Sequence, residues 1–201
     1  MGLKSDKIYF AAGVLIGALA MVVVFLLWFQ KNQPVGSLEL GRLPDAAVNK
    51  KTDCATKERQ AVVSGDSLEP LIKAETKVKI LDNYYACNPV KRGDIVIYNY
   101  AGNANPLIKI ARGIPGDSFD FAAAAGGWNI ILNKQVLQNS AKQPYILTDA
   151  AKRLLALYAA DYKGVIPPDG YLILGDNPAG SLDSGNFGLV GREDLTGKVE
   201  G

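Results

Sequence analysis

The segment DIVIYNYAGNANPLIKIARGIPGD, Asp94 to Asp117, holds two apolar runs, DIVIYNY and LIKIARGI, separated and ended by Gly, Asn, Pro and Asp. Runs this short, rich in Ile, Val and Tyr and bounded by turn residues, read as β-strands. Outward along the chain the same pattern recurs in KVKIL (77–81), WNIILN (128–133), YLILGD (171–176) and FGLVG (187–191). One stretch breaks it: TDAAKRLLALYAADY, from Thr148, sets Leu154, Leu155, Leu157 and Tyr158 at helical spacing, with Thr148 and Asp149 as caps. Many short strands and one short helix favour a mostly β, antiparallel, partly barrel-like domain over a parallel α/β sheet.

Composition narrows the chemistry. The 201 residues carry 22 Lys and Arg against 20 Asp and Glu, which leaves no basic field to gather nucleic acid. There is no histidine, so the commonest general base and the commonest metal ligand are both missing. Two cysteines, Cys54 and Cys87, are too few and too far apart for a zinc site or a C-x-x-C redox pair. They are two free thiols or one disulfide, the latter chemically permitted outside the cytoplasm. No cofactor and no metal is expected.

Before the strands lies IYFAAGVLIGALAMVVVFLLWF, Ile8 to Phe29, with no charge inside it. A helix of that length rises roughly 33 Å, enough to span a bilayer. It is longer than the core of a cleaved signal and is followed by Gln30 and Lys31 rather than small residues, so it reads as a retained transmembrane anchor. Lys4 and Lys7 lean weakly towards a cytoplasmic N-terminus over residues 1–7. Residues 30–59, including NKKTDCATKER, lack periodicity and read as a stalk, leaving 60–201 as a single folded domain outside the membrane.

Three segments could carry chemistry. SGDSLEP, Ser64 to Pro70, places Ser67 after Gly65 and Asp66 in a turn where glycine lets a ligand approach the backbone. By itself it also reads as an ordinary surface turn. Lys109 sits among Leu107, Ile108 and Ile110; buried there, its amine would lose charge and could serve as a base, although most lysines in strands face solvent. GDNPAGSLDSGNFG, Gly175 to Gly188, is a polar loop able to orient another group. It could equally be a decorated hairpin or a calcium loop built on Asp176, Asn177 and Asp183, although the alternating acids and closing Glu of an EF-hand are absent.

Taken together and in this order, the three segments resemble the signature of the type I signal peptidases, a family of Ser/Lys dyad serine proteases. KRGDIVIY (91–98) and FGLVGREDLTGKV (187–199) add further family-like stretches, so the resemblance runs over the whole domain from Ser64 to Val199. It implies that Ser67 is the nucleophile and Lys109 its base. It also implies that Ser181 hydrogen-bonds the lysine amine and that Asp183 buttresses a supporting loop with Gly175, Asp176 and Asn177. The Ser67 amide would be one oxyanion donor, while Gly65 stands where some members carry a second donor serine. The implied activity is endoproteolytic removal of N-terminal signal peptides, with small residues preferred at the first and third positions before the cut. Its partners would be signal-peptide-bearing preproteins and the lipid bilayer, and its place the bacterial cytoplasmic (inner) membrane, single-pass, with the catalytic domain on the extracytoplasmic side. A Ser/Lys dyad also explains how a chain without histidine could run acyl transfer.

Three departures from the family pattern stand out. Leu68 replaces the usual Met, a volume-conserving change. Gly185 replaces the usual Arg, so Asp183 must find backbone donors or Arg192 instead. Pro178-Ala179-Gly180 replaces the commoner polar filler, which points to a divergent member such as one serving a dedicated secretion or conjugation system. Two other readings compete. A non-catalytic β scaffold on a membrane anchor requires Ser67 and Lys109 to be apart, or Lys109 to be solvated and paired with a carboxylate. A self-cleaving Ser/Lys protease like the SOS repressors is disfavoured by the apolar N-terminal run and the GDN loop.

Overall fold

The structure is a computed structural model that describes residues 54–100, 105–177 and 180–200. The N-terminal residues 1–7, the expected anchor at 8–29 and the stalk as far as residue 53 lie outside the described residues. Among the described residues, no helix is long and apolar enough to cross a membrane.

Among the described residues eleven strands pair in two sheets, and every ladder is antiparallel. The larger sheet has the order β1 (Lys57–Val62), β2 (Lys77–Asp82), β11 (Leu195–Glu200), β3 (Ile95–Tyr98), β4 (Leu107–Gly113), β9 (Gly170–Leu174) and β10 (Val190–Gly191). The smaller contains β5 (Phe119–Ala124), β6 (Gly127–Leu132) and β7 (Gln135–Val136), with β8 (Ile146–Leu147) also paired to β6. The larger order is an open path, with β1 at one edge and β10 at the other.

Alternation explains β2, where Val78 and Ile80 are buried and Lys77 and Lys79 face out. It does not explain β1, whose sequence KERQAV is polar and mostly exposed. Pairing with β2 from Lys57↔Asp82 to Val62↔Lys77 makes it a strand, so the folded part begins within the stretch read as a stalk. β5, FDFAAA, was equally faint, because alanine has little β preference. Its register with β6, Phe119↔Leu132 to Ala124↔Gly127, supplies the order that its own residues lack.

The helix is α1 (Asp149–Asp161), with Thr148 as N-cap: its side chain accepts from the Ala151 N–H. Leu155 is wholly buried, but Leu157 is 62% exposed and does not share the apolar face on which its spacing had placed it. The run FGLVG is a strand only at Val190–Gly191. Phe187 ends a four-residue helix, α2 (Ser184–Phe187), and Gly188 leaves it at φ 86, a left-handed turn suited to glycine.

Cys54 and Cys87 form a disulfide, with Cα atoms 5.5 Å apart. The bridge fastens the chain just before β1 to the segment just after a 3-10 turn at Tyr84–Ala86. Of the buried clusters, the one formed by Val63, Val78, Ile80, Ile97 and Val199 lies under the end of the sheet that carries β1 and β2.

Candidate active site

Lys109 lies in the middle of β4, an interior strand flanked by β3 and β9. It is opposite Val96, which is fully buried, and is followed by the equally inaccessible Ile110. The lysine itself is only 3% exposed. Alternation along a strand says which way a side chain points but not whether that face is covered, so this burial could not be read beforehand. The Lys109 Nζ donates to the Ile108 carbonyl at 2.8 Å and lies 3.0 Å from Ser67 Oγ. Removal from water pushes the amine below its ordinary value, and the carboxylate of Asp183 opposes that shift only in part.

Ser67 sits on a loop between β1 and β2 that is fastened at several points. Val63 N–H donates to Thr76 O and Glu75 N–H to Val63 O, each at 2.9 Å, closing the base of the loop. Gly65 takes a left-handed φ of 83 and Leu68 is wholly buried beneath it. Asp66 is exposed, and its carbonyl accepts from Glu69 N–H at 2.9 Å. The Ser67 carbonyl accepts from the N–H groups of Asp176 at 2.7 Å and Asn177 at 3.2 Å. Its own N–H has no partner among the described residues.

Gly175 explains how the two loops come so close: an added Cβ would stand 2.6 Å from both Ser67 O and Ser181 Oγ. Asp176 is fully buried and meets Arg112 Nη2 at 2.5 Å. Ser140 donates to it from its backbone N–H at 3.0 Å and from its hydroxyl. Arg112 Nε also donates to Tyr145 Oη at 3.2 Å, and Tyr145 donates to Gly175 O at 2.7 Å. Burial raises the Tyr145 hydroxyl to about 12, so it remains a donor. Arg112, Ser140 and Tyr145 were not singled out from the sequence. The signal available was indirect: a fully buried carboxylate needs a cation, and Arg112 is 64 positions away.

Ser181 departs from expectation. Its hydroxyl donates to Asp183 Oδ2 at 2.6 Å rather than engaging the Lys109 amine. Asp183 accepts from Gly175 N–H at 3.1 Å and Gly185 N–H at 2.9 Å, and caps α2. Backbone donors therefore replace the missing arginine, while Arg192 donates to the carbonyls of Tyr85 and Asn88. The carboxylates of Asp176 and Asp183 are engaged with different partners, and among the described residues no three metal-ligating side chains converge.

Beside Ser67 and Lys109 opens a cleft of about 410 Å³, walled by β1 residues and floored by apolar side chains such as Val78, Ile80 and Ile97. Residues 55–201 match the family model described as signal peptidase, peptidase S26. The chain belongs to that family.

Two curated signal peptidases agree with this membership. The peptidase is 28% identical over 143 residues to signal peptidase I P of Bacillus subtilis subsp. natto, covering 69% of this chain and 73% of that one. It is 27% identical over 150 residues to signal peptidase IB of Staphylococcus aureus strain Mu50, covering 68% and 73%. A crystal structure of a signal peptidase I from Enterococcus faecalis V583 is 22% identical with a TM-score of 0.41, covering 56% of this chain and 98% of that one. The family match makes serine endopeptidase chemistry the activity class of this hydrolase.

Proposed function

We propose that this peptidase removes N-terminal signal peptides from exported preproteins through a Ser67/Lys109 acyl-enzyme mechanism. The observation that carries the reading is the 3.0 Å contact between Ser67 Oγ and a buried amine that touches no carboxylate among the described residues. A neutral Lys109 takes the Ser67 proton as Oγ attacks the scissile carbonyl. The unpartnered Ser67 N–H stabilises the developing oxyanion. Lys109 then returns the proton to the departing amine, leaving an ester on Ser67, and deprotonates the water that hydrolyses it. Gly175, Asp176 and Asn177 hold the Ser67 carbonyl; Asp183 orders the loop through backbone donors, with Ser181 acting on Asp183.

Apolar side chains such as Val63, Val78 and Ile97 line the cleft that opens beside the dyad, which suits small apolar residues before the cut. The run 8–29 serves as a single-pass anchor in the bacterial cytoplasmic membrane with the domain on the extracytoplasmic side. Sharing a bilayer with the substrate raises their effective concentration. The disulfide is compatible with that compartment. The departures at Gly185 and residues 178–180 favour a dedicated secretion or conjugation system. A scaffold role predicts a separated or solvated dyad, and the contact and burial of Lys109 speak against it.

The test is cleavage of a preprotein bearing an Ala-x-Ala site by the full chain in detergent, beside Ser67→Ala and Lys109→Ala. Loss of cleavage in both variants supports the dyad. Activity persisting in Ser67→Ala sinks it.

A further inference from the structure

Resting on the peptidase reading, we infer that Arg59 is a specificity determinant that recognises an acidic side chain upstream of the small residues at the cut. Arg59, Ala61, Val62 and Val63 of the β1 segment line the cleft, and strand alternation sets Arg59, Ala61 and Val63 on one face. Near the dyad end the wall is Ala61 and Val63, with Val78 of β2 opposite Ala61; farther along β1 it changes to Arg59, which stands opposite Ile80. At the strand rise, Arg59 stands about 14 Å from Val63, or about four residues of an extended peptide. The outer edge of β1 carries no strand among the described residues, so a peptide can lie along it. Residues roughly fifth to seventh before the cut then reach Arg59.

Arg59 is equipped for a second acceptor. Its Nε engages Asp82 at 2.7 Å, with the side chain 44% exposed. The two Nη groups have no partner among the described residues. The other basic side chain lining the cleft is Lys109, whose buried amine is held in its neutral form, and among the described residues no carboxylate lines it. A guanidinium presents a fork that a carboxylate can approach in plane while Asp82 keeps its own contact. Because the site is exposed, the preference will be modest and screened by salt.

The experiment compares three preproteins that carry Asp, Ala or Lys at the fifth to seventh positions before one Ala-x-Ala cut. They are cleaved by the full chain in detergent and by Arg59→Lys, Arg59→Gln and Arg59→Glu variants. The readout is the Asp-to-Lys ratio of kcat/KM within each enzyme, so any general loss from altering β1 cancels. Wild type and Arg59→Lys should favour Asp by about three- to tenfold at low salt, Arg59→Gln should show little preference, and Arg59→Glu should invert it. A ratio near one in wild type, or one unchanged in Arg59→Glu, overturns the assignment while cleavage of the Ala substrate keeps the peptidase reading intact. Failure of wild type to cleave any of the three overturns both.

Discussion

Two ionisable residues are buried within a few ångströms of Ser67 and its loop, and the molecule treats them in opposite ways. Asp176 receives a guanidinium, a backbone N–H and a hydroxyl. Lys109 receives a carbonyl and the Ser67 hydroxyl, with no ion-pair partner among the described residues. A buried charge that is to remain charged must be paired and hydrogen-bonded. A buried amine left without a counter-ion is stabilised in its neutral form, which is the form a base requires. One residue serves architecture and the other, on the mechanism proposed above, proton transfer, and the difference lies in the partners.

The largest effect expected from breaking this comparison is on rate. Lys109→Met should lower single-turnover cleavage by about 10⁴-fold or more, as loss of a catalytic base does elsewhere, yet leave Tm unchanged or higher because an uncompensated amine has been removed. A clear drop in Tm would show that the lysine is structural. Next comes Asp176→Leu, which strands the Arg112 guanidinium and should cost about 3–5 kcal/mol in urea unfolding. Pairing it with Arg112→Met should recover much of that loss. Equal losses in the single and double variants would contradict the assignment of an ion pair.

Titration sharpens the same contrast. Lys109 is lowered from the 10.5 of a free lysine, so kcat/KM should fall about tenfold per pH unit below the lowered value. For stability the sign is opposite to that of a paired lysine. Between the lowered folded value and 10.5 the unfolded chain binds more protons, so this group makes the fold more stable as pH rises through that window. Lys109→Met should flatten that slope in pH-dependent unfolding. The smallest effect is expected from Ser181→Ala, about 1–2 kcal/mol of stability through its bond to Asp183, with a rate loss far short of that in Lys109→Met. A comparable rate loss would mean that Ser181 acts on the amine during turnover.

What could be read in advance follows from the same physics. Val, Ile and Tyr runs such as IVIY and YLIL announce strands because their side chains suit a pleated, covered surface, and TDAAK announces its own helix cap. KERQAV and FDFAAA do not, since their order comes from partners distant in the chain. The motif segments pointed to Ser67 and Lys109, which the fold brings together across 42 positions. They did not show the burial of Lys109, the Arg112 partner of Asp176 or the direction of the Ser181 hydroxyl. Each depends on packing between distant segments rather than on local pattern.

The disulfide has a mechanical consequence. Cys54 lies three residues before the edge strand that walls the cleft, and its bridge crosses to Cys87, enclosing both β1 and Ser67 in one covalent loop. Tension arriving along the chain from the N-terminal side of Cys54 therefore passes through sulfur to the segment after the 3-10 turn. The hydrogen bonds between β1 and β2 are shielded from that load, so the wall of the cleft holds its register while the chain ahead of it is pulled.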